Sequence, residues 1–213
     1  MERKFRIFVF VIILFLAGCF STKPHLKFDK GLPGEVLRAY SGQKAKLAVS
    51  DFELKTSGVE AGVGLALKDA FIGLLNNTQR FLIVSLQEAD LIISVDINEF
   101  VPESSGGKSG IGGGGSGRNS FMGGLLGPTL SKSNMQLGLR IIDHASSSII
   151  KSRDIYSQAS QIPGKRIEIP KIMVFKTGLS MYAGTPMGKV IYDCLFEATR
   201  YIVQNVELNY YKN

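Results

Sequence analysis

Hydrophobic positions recur along the chain with two periods, and the switches between them mark out the elements. Lys46-Leu-Ala-Val-Ser-Asp-Phe52 reads as a short strand. From Gly62 to Gln79 the period is helical, with Val63, Leu67, Phe71, Leu74 and Leu75 on one face, and Asn76-Asn77 ends the helix. Phe81–Leu86 is a short apolar strand. Asp90–Phe100 alternates, with Leu91, Ile93, Val95 and Ile97 on one side and Ser94, Asp96 and Asn98 on the other. The same alternation returns at Met135, Leu137, Leu139 and Ile141, set between Asn134, Gln136, Gly138 and Arg140. Asp143-His144-Ala145-Ser146 reads as a hairpin turn into a strand over Ser147–Ile155, and Tyr156–Gln161 stays polar. Pro163-Gly164 and Pro170 mark a loop. Lys171–Tyr182 then predicts one more strand, with Met173, Phe175, Leu179 and Met181 on one face. Gly184-Thr185-Pro186 opens a last helix carrying Val190, Cys194, Ala198 and Ile202, flanked by Ile191, Leu195 and Val206. The order is β-α-β-β, a β-rich middle, then α, which defines an α+β fold.

The first residues do not belong to that pattern. Arg3, Lys4 and Arg6 precede an unbroken apolar run, Ile7–Gly18. The run is too short to span a bilayer as a helix and has the shape of a secretory signal peptide. It ends in Leu16-Ala17-Gly18-Cys19, which resembles the bacterial lipobox. That resemblance implies cleavage after residue 18 and acylation of Cys19, so membrane lipid is the first expected partner. Phe20 and Ser21 follow, with no acid to resemble an inner-membrane retention signal. The expected location is therefore the outer membrane, facing the periplasm. Residues 19–45, mixing Lys, Pro and Gly, read as a lipidated tether, and residues 46–208 as the folded domain.

Composition narrows the class further. The chain has 213 residues, 45% hydrophobic and 20% charged, enough for one sizeable core and too apolar for disorder. Two cysteines rule out a disulfide scaffold. With Cys19 acylated, Cys194 has no intrachain partner, and its place on an apolar helix face makes it a buried small hydrophobe. A net charge of +7 has no basic helix to concentrate it, and bases and aromatics are not interleaved, so nucleic acid is not an expected partner.

The chemistry of enzymes finds little footing. Between Ser105 and Gly127 eleven of 23 residues are glycine. Gly107-Lys108-Ser109 resembles the end of a P-loop, but Pro102 stands where its first glycine belongs and no amphipathic helix follows. Gly110-Ile-Gly-Gly-Gly-Gly115 matches a dinucleotide fingerprint only as any polyglycine tract would. His25 and His144 stand apart from cysteines and carboxylates at metal-ligand spacing. Asp51, Glu53, Asp90, Asp96 and Asp143 sit at strand ends or on polar faces. No catalytic, cofactor or metal residue is expected, and the chain reads as a non-enzyme.

Ala89–Ile97, the glycine-rich Ser105–Gly127, Gln136–Asp143 and the closing Ala183-Gly-Thr-Pro-Met with its helix, taken in this order, resemble the curli secretion channel (CsgG-like) family. Lys46–Phe52 and Arg80-Phe-Leu-Ile-Val84 fit its beginning. The resemblance implies a lipidated periplasmic α+β domain that forms a homo-oligomeric ring. It also implies two extended β-hairpins, near residues 102–136 and 153–182, contributed to a shared outer-membrane barrel. Closure of such a barrel hides hairpin edges that lipid does not tolerate. The function so implied is secretion or assembly of an exported protein substrate, as in curli production. The family's pore constriction carries tyrosine, asparagine and phenylalanine, whereas Glu53–Gly62 has neither an aromatic residue nor an asparagine, so no gate residue carries over. The alternative function is a periplasmic lipoprotein that forms no channel and binds an envelope or assembly partner.

Overall fold

The strands that alternate most cleanly in sequence form the middle of the sheet. The computed structural model describes residues 36, 38, 40–57, 59–105, 131–161, 167–173, 175–176 and 178–211. Within them lie β1 (Ala45–Val49), β2 (Glu53–Leu54), α1 (Ala61–Asn77), β3 (Phe81–Ile83), β4 (Leu91–Ser105), β5 (Ser131–Asp143), β6 (Ser148–Gln161) and α2 (Pro186–Asn205). The six strands make one sheet in the order β3-β1-β4-β5-β6, with β2 also paired to β4. β1 and β2 run parallel to β4 and lie end to end along the same flank of it. β4, β5 and β6 form an antiparallel meander whose strands far exceed the usual five or six residues.

The period-2 pattern explains which face is covered. Leu91, Ile93, Val95 and Ile97 of β4 and Met135, Leu137, Leu139 and Ile141 of β5 are all buried. They meet Val63, Leu67, Phe71, Leu74 and Leu75 of α1, and Val190, Ile191, Cys194, Leu195, Ala198 and Ile202 of α2, in one continuous core. Burying each Val, Leu, Ile, Phe or Met side chain among them stabilises the fold by about 1.5–3 kcal/mol. α2 begins where Thr185 Oγ1 accepts a hydrogen bond from the Gly188 amide at 3.2 Å, with Pro186 in the first turn. Gly188 is required there, because a Cβ would lie 2.1 Å from the Tyr182 carbonyl oxygen. At the opposite end of the domain Tyr211 bridges to Ala45, and its ring stands 5.9 Å from that of Tyr40.

Two expectations change. Lys171–Tyr182 does not form a strand: it runs through turns into a 3-10 turn over Ser180–Tyr182. Gly178 adopts φ +92°, which breaks an extended path, and its Cα comes so close to α1 that a Cβ would lie 2.9 Å from the Ala66 Cβ. Met173 and Leu179 are buried instead against the helix layer, while Met181 is exposed. The second hairpin expected over residues 153–182 is therefore absent from the described part of that segment, and β6 returns only to β5. The described strands form an open sheet with two helices on one side, not a closed barrel.

The hairpin near residues 102–136 is present in its two arms, where β4 pairs with β5 as far as Ser105 opposite Ser131. Residues 106–130, with most of the glycine-rich tract, lie outside the described residues, as do the signal segment, Cys19 and His25. Among the described residues no helix is long and apolar enough to cross a membrane.

Candidate functional site

Because both helices lie on one face, the other face of the β4–β5–β6 meander is left open among the described residues. Pairing register brings its polar positions side by side: Asp96 lies opposite Gly138, which lies opposite Asp154, and Ser94 opposite Arg140, which lies opposite Ser152. Residues directly opposite in an antiparallel pair share a face, so these side chains form two polar rows. β2 then carries Lys55 over the same rows, its backbone amide donating to the Ile97 carbonyl at 3.0 Å.

Asp96 is the centre of this arrangement. Lys55 Nζ lies 2.8 Å from Asp96 Oδ2, and Arg140 Nη2 lies 2.9 Å from Oδ1 while also reaching Ser94 Oγ at 3.1 Å. The carboxylate is 6% exposed, against 45% for Lys55 and 34% for Arg140. Burial pushes the Asp96 pKa up, but hydrogen bonding and charge from Lys55 and Arg140 outweigh it and leave the group below its ordinary value. Both cations keep part of their surface in water while bound to Asp96.

Beside this network is a shallow trough of about 490 Å³, lined among others by Lys55, Asp96, Asn98, Arg140, Ser152 and Asp154. Gly138 forms its floor. A Cβ there would lie 3.2 Å from Asn98 Nδ2 and 3.5 Å from Asp154 Oδ1, partly filling the space. Toward the sheet edge the same face carries exposed Ile149 and Tyr156. The opposite side of β6 is structural: Arg153 pairs with Glu197 of α2 at 3.2 Å and stacks on Tyr201.

The arrangement suits polar recognition. Among the described residues no group of three or more His, Cys, Asp or Glu is placed to hold a metal. His144 Nδ1 is engaged by the Ala89 carbonyl at 2.7 Å. Cys194 is fully buried, and burial pushes its thiol pKa far up, which fits the expected packing role. Of the acids singled out in the sequence, Asp96 pairs with both cations, while Glu53 reaches only Lys55, at 3.9 Å. Lys55 and Arg140 were not singled out, and the available signal was Arg140 as the one charge within the alternating stretch Asn134–Ile142.

No protein-family model matches the chain, and no curated protein matches it. Solved structures do. The hypothetical protein CT253 from Chlamydia trachomatis superposes with a TM-score of 0.50 at 11% identity, covering 76% of this chain and 97% of that one. Lipoprotein GNA1162 from Neisseria meningitidis reaches 0.37 at 8% identity over 55% of this chain and 83% of its own. A PelC dodecamer from Paraburkholderia phytofirmans reaches 0.38 at 14% identity over 72% and 89%. The Chlamydia structure establishes a shared fold and nothing about activity. The resemblance to the curli secretion channel family is corrected: the Chlamydia match bears another name, and among the described residues the second barrel hairpin it required is not formed.

Proposed function

We propose that this chain is a membrane-anchored lipoprotein of the bacterial envelope that works by binding rather than catalysis, without forming a channel. The observation that carries the reading is the ordered start of the sequence, basic residues, the apolar run Ile7–Gly18 and then Leu16-Ala-Gly-Cys19, joined to a domain with one open polar sheet face. Acylation of Cys19 by more than one chain holds the protein stably, where a single chain gives only marginal binding. With Phe20 and Ser21 after the cysteine, the outer membrane is the assigned location, and the domain faces the periplasm. The trough beside Asp96 and the edge of the meander are the surfaces that meet an assembly partner or further copies of the chain. The Neisseria match is itself named a lipoprotein and the Paraburkholderia match a dodecamer. The reading for this chain rests on its own sequence and surface.

The test is metabolic labelling with radioactive palmitate, followed by separation of inner and outer membranes, for the wild type and Cys19→Ser. Label and outer-membrane fractionation that both vanish in the variant are the expected result. Equal label in the two proteins, or a wild type recovered wholly in the soluble fraction, overturns the anchor.

A further inference from the structure

Among the described residues β6 is the last strand of the sheet, and it is long: fourteen residues, Ser148–Gln161, with no proline. Long unpaired edges template association, and proteins ordinarily shorten, bulge or cover them. Here the only irregularity falls at the start, where the register with β5 shifts around Ile150 and leaves Lys151–Gln161 as a regular run.

We propose that this run pairs antiparallel with the same run of a second copy, about a two-fold axis through Tyr156. The proposal locates the self-association named above and rests on that reading.

Charge and face select the register. A two-fold pairing that keeps the open faces of both sheets on one side must place its axis through a residue, because strand side chains alternate with period 2. An axis at Ser152 sets Lys151 against Arg153. One at Arg153 opposes two guanidinium groups, and one at Asp154 opposes two carboxylates. Axes at Ile155 and Tyr156 bring no like charges together. Only the axis at Tyr156 bisects Lys151–Gln161, so the whole regular run is paired and the irregularity at Ile150 lies outside it.

In that register the open face carries Tyr156 against its own copy, Asp154 against Gln158 and Ser152 against Ser160. Tyr156 is 41% exposed in the single chain, and its hydroxyl already reaches Gln158 Oε1 at 3.1 Å, so this part of the edge is polar and aromatic together. The covered face is compatible as well. α2 packs over β5 and β6, with Tyr201 Oη 3.2 Å from the Ser152 carbonyl. Continuing the sheet by one copy therefore separates the two α2 helices by about two strand spacings, roughly 10 Å, near the usual helix-packing distance.

The experiment uses the full-length protein in its native membranes, where Cys194 is buried. Opposed Cα atoms in an antiparallel pair are about 4.5–5.5 Å apart, within disulfide reach. Tyr156→Cys is therefore expected to oxidise to a disulfide-linked dimer. Asp154→Cys is expected to remain unlinked, since its own copy lies about 14 Å away along the strand. Asp154→Cys expressed together with Gln158→Cys is expected to cross-link between unlike chains, which guards against loss of folding in the tyrosine variant. The mass of the wild type in detergent is measured alongside. Cross-linking at Asp154→Cys alone overturns the register. A wild type that associates while none of the cysteine variants links overturns this interface and leaves self-association standing. A monomeric wild type overturns both.

Discussion

Asp143 shows how much one side chain does at the turn between β5 and β6. Its Oδ1 accepts from the Ser146 amide at 2.7 Å and the Ser146 hydroxyl at 2.6 Å, and its Oδ2 from the Tyr210 hydroxyl at 2.8 Å. Those bonds, Ser146 first, hold its pKa at about 2. The folded value lies below the ordinary carboxylate value of about 3.9, so folding favours the charged form. Its contribution is complete above about pH 4 and is lost as the pH falls toward 2. Urea unfolding of the wild type and Asp143→Asn across that range is expected to show a stability gap that is full at pH 6 and closed near pH 2. A gap independent of pH would remove Asp143 as its source. Burial first, and then the bond to Asp143, push the Tyr210 hydroxyl up to about 12, so it stays a donor across that range.

At the scale of elements, packing demands decide what the residues merely permit. The Gly188 Cα sits so close to Tyr182 that no side chain fits. Gly188→Ala is expected to destabilise the domain by about 1–3 kcal/mol, read as a lowered urea midpoint with unchanged slope. An unaltered midpoint would mean that the helix start shifts freely. The alternation in β4 and β5 and the helical faces of α1 and α2 were legible because each element buries one side against the same core, which imposes a strict period. Lys171–Tyr182 was misread because Met173 and Leu179 are buried for their contacts with the helix layer while the backbone between them turns at Gly178. Spacing alone does not distinguish those causes. Tyr156–Gln161 was missed as strand for the opposite reason. Its backbone is satisfied by β5, from Ser131 to Gln136, at a place where little apolar surface is available to bury. The network around Asp96 was hidden in a similar way: Lys55 and Arg140 stand far from Asp96 in sequence, and only register brings them within 3 Å.

For the whole molecule, one continuous core ties both helices to strands from each half of the described chain. Such a domain is expected to unfold in a single transition. Tyrosine fluorescence and far-ultraviolet dichroism should report coincident urea midpoints, and separated midpoints would show that the meander and the β1–α1–β3 part melt independently. The sheet is asymmetric among the described residues: one face packs against both helices, and the other carries the polar rows around Asp96. The polar positions that matter are spread over three strands and β2, and they gather only when the sheet forms.

The bridge between Ala45 and Tyr211 has a mechanical consequence. The chain enters the sheet at β1, an interior strand clamped between β3 and β4, and Tyr40, Arg80 and Tyr211 clasp that entrance. A force applied along β1 must shear the hydrogen bonds on both of its flanks together rather than unzip them one by one.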